Sequence, residues 1–123
     1  MFGFWDDTLS TMQETLDLAI ELNTEYINFY CVVAYPNTAL YKQLQELGVS
    51  LPTDFTQYAQ TYEDFKPLPT KHVTAKEVLR FRDAAFNTYF TNENYLSSIR
   101  NKFGLNVVEE IKTMLSIPMR RKI

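Results

Sequence analysis

Residues 26–34 read YINFYCVVA. Aromatic and β-branched side chains crowd this stretch with little apolar–polar alternation. That pattern predicts a strand covered on both faces, as in a parallel sheet. Pro36-Asn37 ends it. Upstream, Leu9, Met12, Leu16, Ala19 and Ile20 fall at helical spacing, with Glu14, Asp17 and Glu21 on the wet side. Asp7, Thr8 and Ser10 are candidate caps, Ser10 with Gln13 fits a capping box, and Asn23 suits the stop. Before this helix, Phe2-Gly3-Phe4 reads as the end of a buried strand. A strand end needs neighbours, so this opening is expected to be a cut from a larger sheet. Strand end, helix and strand together predict a βαβ unit. Thr38 can cap a short helix through Leu47, with Gly48 as its stop.

Downstream the character changes. Residues 49–70 hold three of the five prolines together with Phe55, Tyr58, Tyr62 and Phe65, which predicts an aromatic-pinned connector with a short helical turn. Thr74 and Glu77 make a capping box for a helix on Val78, Phe81, Ala85 and Tyr89, ending near Thr91. Asn92 caps a second helix on Tyr95, Leu96 and Ile99, and Gly104 ends it. A third runs from about Asn106 to Leu115. The expected organisation is residues 1–48, a connector over 49–73, and a helical extension over 74–123. The expected fold class is α/β to mostly α.

Composition narrows the function classes. The chain has 123 residues, which suits one small domain with a modest core. Nine Phe, eight Tyr and one Trp must be buried or face a partner. A net charge of -3 gives no basic field, so nucleic acid is not an expected partner. No apolar run is long enough to span a bilayer, and the N-terminus lacks the basic start and apolar stretch of a signal peptide. A single cysteine, Cys31, forbids an internal disulfide framework and points to a reducing, cytoplasmic setting.

Chemistry-bearing patterns are sparse. One Cys and one His cannot form a Cys/His metal cluster, and neither GxGxxG nor a P-loop occurs. No residue is expected to be catalytic or to bind metal. His72, in a proline-flanked linker, reads as an ordinary surface residue, and Cys31 as a buried thiol. Asp6-Asp7 reads as helix capping, and Arg120-Arg121-Lys122 as a solvated tail. In parallel βα folds, ligands gather at the C-terminal ends of strands. The two expected strand ends make Phe4, Trp5, Asp6, Tyr35, Pro36 and Asn37 candidates for a rim facing substrate or cofactor. The competing reading is that Trp5 and Tyr35 only pack that rim.

Several stretches resemble a known family. Gly3-Phe4-Trp5-Asp6-Asp7-Thr8, with Glu14-Thr15-Leu16 and Ala19, resembles the "GLPGDT…ETL…A" segment late in the radical SAM barrel. Tyr35-Pro36-Asn37-Thr38-Ala39-Leu40-Tyr41 resembles the "YPGTxLY" after the next strand, although Trp5-Asp6 and Asn37 depart from the usual Pro-Gly and Gly. The pattern from Thr74 through Asp83, then Ala85-Phe86, Tyr89-Phe90 and Asn94-Tyr95-Leu96, is similar to the tail of the cobalamin-binding branch. That branch includes the magnesium-protoporphyrin IX monomethyl ester oxidative cyclase-like Fe-S oxidoreductases.

The resemblance implies a partial βαβ remnant of a TIM-like barrel followed by a C-terminal helical extension. It implies that the parent uses a 4Fe-4S cluster on a CxxxCxxC motif, S-adenosylmethionine and cobalamin. This chain lacks the motif, so it would complete the barrel and its substrate end without being catalytic alone. Its partners would be the missing N-terminal barrel and cobalamin-binding regions, or a second copy paired through orphan strands. The alternatives are a free-standing helical interaction or dimerisation module without enzymatic activity, and a small-molecule binder built on Phe55 to Phe65.

Overall fold

The computed structural model describes residues 1–122. Among these, the elements in chain order are α1 (Leu9–Leu22), α2 (Ala39–Glu46), a 3-10 turn (Phe55–Tyr58), α3 (Ala75–Phe90), α4 (Glu93–Phe103) and α5 (Leu105–Ser116).

The expected strands do not form. Among the described residues there is no strand, sheet or barrel, and the βαβ remnant is corrected accordingly. A single parallel bridge joins Phe2 to Cys31, through Phe2 N–H to the Tyr30 carbonyl (2.9 Å) and Val32 N–H to the Phe2 carbonyl (2.8 Å). The rest of the 24–34 segment finds other partners. Tyr89 Oη donates to the Thr24 carbonyl at 2.6 Å, Tyr95 Oη to that of Glu25 at 3.3 Å, and Arg82 Nε to that of Phe29 at 2.7 Å. The Gln60 side-chain amide closes on both backbone groups of Cys31, donating to its carbonyl and accepting from its N–H, each at 3.0 Å. Backbone polar groups near a core must be paired, but they need not be paired by a strand. The apolar run is buried only in part: Phe29, Cys31, Val32 and Ala34 lie inside, whereas Tyr26, Asn28 and Tyr30 are exposed, so the stretch is not covered on both faces. It was silent on who satisfies the backbone.

The helices begin and end for local reasons. Thr8 caps α1 in a reciprocal box with Thr11, in place of the expected Ser10–Gln13 pair. Asn23 closes α1 in the left-handed conformation, at φ 45°. Thr38 caps α2, Thr74 and Glu77 form the box at α3, and Asn92 caps α4. Gly104, at φ 89°, separates α4 from α5.

Packing joins the two ends of the sequence. Phe2, Met12, Leu16 and Phe29 share one core with Val78, Tyr89, Ile99 and Val108 from the three C-terminal helices. Phe2 stacks on Phe29 at 5.5 Å, and Tyr89 meets Phe29 edge-on at 5.9 Å. Gly3 permits this approach: a Cβ there would lie 2.7 Å from Val78 Cγ1, and its φ of +87° suits glycine. A second, smaller cluster gathers Val32, Ala34, Leu44 and Leu68, with Trp5, Leu40 and Tyr41 packed against it.

Candidate functional site

The six rim candidates fall around two turns. Phe4 is exposed, while Trp5 is half-buried against the smaller cluster, and its carbonyl accepts from Lys71 N–H at 2.9 Å. Asp6 is exposed and forms an ion pair with Lys71. Tyr35 is exposed and stacks on Tyr58 at 5.4 Å, with the rings 13° from parallel. Pro36 and Asn37 form an exposed turn in which Asn37 takes φ 69°, and Thr38 donates to the Tyr35 carbonyl from Oγ1 at 2.7 Å. Trp5 and the helix that follows this turn meet in the smaller cluster, through Leu40 and Tyr41. Phe4 and Asp6 lie outside that cluster.

Asp7 does a different task from the helix cap expected of it. Its carboxylate accepts from the N–H groups of Gly3 (3.0 Å) and Phe4 (2.9 Å) and from Thr11 Oγ1 (2.9 Å), which pins the turn entering α1. Desolvation raises the Tyr58 phenol above its ordinary 10.0, with Tyr41 and Tyr35 adding to the effect. His72 is exposed.

The fit of an iron–sulfur cluster can be tested on residue chemistry. Three thiolates are required, and the chain has one cysteine. Cys31 is fully buried, and burial pushes its thiol up to about 12. Such a thiol is protonated and inaccessible at neutral pH, so it is neither a ligand nor a nucleophile. Among the described residues no group of three His, Cys, Asp or Glu side chains is placed to hold a metal. The residues present do not fit the cluster.

Two features escaped the sequence reading. The first is an apolar groove of about 410 Å³ between residues 25–28 and helices α3, α4 and α5. Its walls include Phe86, Phe90, Tyr95, Ile99, Phe103 and Met114. Its polar edge carries Glu110 and Glu25; the ion pair with Lys102 holds the Glu25 carboxyl below its ordinary 4.5. The signal was present in the spacing. Phe86 and Phe90, then Tyr95, Ile99 and Phe103, repeat at four residues along α3 and α4. The second concerns the basic end. Arg121 is largely buried in an ion pair with Asp83, and Lys122, though exposed, pairs with Glu63 and Asp64, so these two residues are docked to the protein.

The chain is similar to the heme chaperone HemW of Bacillus subtilis (strain 168). The two are 28% identical over 101 residues, which cover 77% of this chain and 26% of HemW. The chain therefore spans about a quarter of the length of the curated relative it matches. The similarity agrees with a distant relation to the radical SAM proteins, to which HemW belongs. No family model matches the chain, and no solved structure matches it. Among the described residues, no helix is long and apolar enough to cross a membrane.

Proposed function

We propose that this chain is a segment of a radical SAM protein and contributes a helical body without performing the radical chemistry itself. The observation that carries this reading is the extent of the similarity to HemW, which takes in 77% of this chain and 26% of that protein. The residue set adds to it, because one buried cysteine cannot ligate a cluster. The 4Fe-4S cluster and S-adenosylmethionine then belong to the remainder of the parent. That remainder is the proposed partner, meeting this chain through exposed apolar side chains such as Phe4, Leu18 and Leu22. Self-association through the same residues is the competing use of that surface.

The finer placement concerns the macrocycle the parent handles. The residue pattern over 74–96 favours the cobalamin-binding branch, whereas HemW is by name a heme chaperone. Both ligands are built on large tetrapyrrole-derived rings; the porphyrin of heme presents a flat apolar face, whereas the corrin carries amide side chains on both faces. The aromatic groove beside α4 is the surface of this chain suited to a flat apolar face.

Reconstitution with iron, sulfide and S-adenosylmethionine tests the main reading. The expected result is no cluster absorbance and no 5′-deoxyadenosine. A bound 4Fe-4S cluster that cleaves the cofactor would show that the chain carries the chemistry, and the reading would fall. Parallel titrations with hydroxocobalamin and hemin, followed by Trp5 fluorescence and ligand absorbance, separate the branches. A response to cobalamin alone supports the cobalamin branch, and a response to hemin alone supports heme handling. No response to either assigns the macrocycle entirely to the rest of the parent.

A further inference from the structure

Residues 117–122 leave the end of α5 as a strap with little apolar hold. Ile117 and Pro118 are exposed, and Met119 is half-buried. The anchors are charged. Arg121 makes a two-pronged ion pair with Asp83, Nε to Oδ2 at 3.0 Å and Nη2 to Oδ1 at 2.9 Å. Its Nη1 donates to the carbonyls of Gln60 (2.9 Å) and Tyr62 (3.0 Å). Lys122 Nζ reaches Glu63 at 2.8 Å and Asp64 at 2.9 Å, and its N–H donates to the Glu63 carbonyl at 2.9 Å.

These anchors connect to the interior along two lines. Asp83 Oδ1 also accepts from Arg82 Nη1 at 2.8 Å, and the buried Arg82 holds the Phe29 carbonyl. Gln60, whose own carbonyl receives Arg121, is the residue that closes on Cys31. The strap also walls a cavity of about 170 Å³, using Ile117, Pro118 and Met119. That cavity shares Phe86 and Met114 with the apolar groove.

We propose that residues 117–122 form a releasable strap: when Arg121 leaves Asp83, the Gln60 loop lifts from Cys31 and the small cavity opens into the apolar groove, while the helices stay folded. Segments with few buried apolar contacts open at a lower free-energy cost than the whole molecule unfolds. Charge-assisted pairs hold such a segment in low salt and weaken as salt screens them. The helical core, held by apolar burial, does not weaken in that way.

The test uses the full chain and the double variant Arg121→Ala, Lys122→Ala. Cys31 labelling by a thiol reagent reports release, and amide exchange over residues 59–65 reports the Gln60 loop. The amides of α4 report global unfolding. The variant loses the Arg121–Asp83, Lys122–Glu63 and Lys122–Asp64 pairs, and in low salt it is expected to label about tenfold faster or more, since one charge-assisted pair alone accounts for about that factor, with α4 protection unchanged. In the unmodified chain, labelling is expected to accelerate toward the variant rate as sodium chloride rises from about 0.05 M to about 1 M. Equal labelling rates in the two proteins overturn the proposal, as does a salt-independent rate in the unmodified chain. Faster labelling with a matching loss of α4 protection also overturns it, because the whole molecule would then be opening.

Discussion

Gly3 and Arg82 carry more of the fold than their residue types announce. At Gly3 a methyl group would meet Val78 Cγ1 at 2.7 Å, on a backbone with φ +87°. Gly3→Ala therefore adds overpacking to backbone strain and is expected to cost about 2 kcal/mol. A lowered urea midpoint with an unchanged slope is the signature. Arg82 is only 5% exposed, and its charge is compensated by Asp83 and the Phe29 carbonyl. Arg82→Ala leaves that carbonyl without its donor and Asp83 with Arg121 as its remaining partner. The expected loss is about 3 kcal/mol, a large share of the ~5–15 kcal/mol that holds a domain folded. Isothermal urea denaturation measures it, and a change under about 0.5 kcal/mol, the range of an ordinary surface substitution, would refute the structural role. Neither role was legible beforehand. Phe29 and Arg82 lie 53 residues apart, and nothing local marks a guanidinium that will be buried against a distant carbonyl.

Helix boundaries were the most legible part of the sequence, because caps act within a few residues. Thr74–Glu77 and Asn92 announced α3 and α4 through side chains that bond their own neighbours, and Gly104 announced the break before α5 through its freedom to take a positive φ, here 89°. Asn92→Ala is accordingly expected to cost about 1 kcal/mol, with the loss of amide protection concentrated in the first turn of α4. The α3 cap adds a pH dependence. Hydrogen bonds from the Thr74 hydroxyl and then its N–H hold the Glu77 carboxyl below its ordinary 4.5. A carboxylate depressed in the folded state adds stability that is fully present above its unfolded value. That stability is lost as pH falls through the lower folded value. Protection of the first α3 amides should therefore fade on acidification below pH 4.5, and Glu77→Gln should flatten that dependence. The 26–34 stretch failed as a strand because its composition marks apolar surface and says nothing of which groups pair its backbone. Its side-chain partners are Arg82 at Phe29 and Gln60 at Cys31, while Tyr89 and Tyr95 hold the carbonyls of Thr24 and Glu25 just before it, residues whose proximity only the tertiary fold creates.

The molecule as a whole buries one continuous aromatic core and leaves a second aromatic surface open. Phe2 and Phe29 from the first quarter of the chain pack with Tyr89 and Ile99 from the last helices, so the two ends are expected to unfold together. The groove is different, because its rim residues contribute little to that core: Tyr26 is 87% exposed and Phe103 is 55% exposed. Changing them should alter what the surface binds without altering whether the chain folds. Tyr26→Ser with Phe103→Ser is expected to shift stability by no more than about 0.5 kcal/mol, the range of surface substitutions. The same double variant should bind an environment-sensitive apolar dye such as ANS several-fold more weakly than the unmodified chain. Any concentration-dependent increase in hydrodynamic size should shrink with it, since an exposed apolar patch of this kind promotes association. A large loss of stability would mean that the rim belongs to the core. Unchanged dye binding with unchanged stability would move the sticky surface elsewhere, with the exposed outer residues of α1, Leu9, Leu18 and Leu22, next in line.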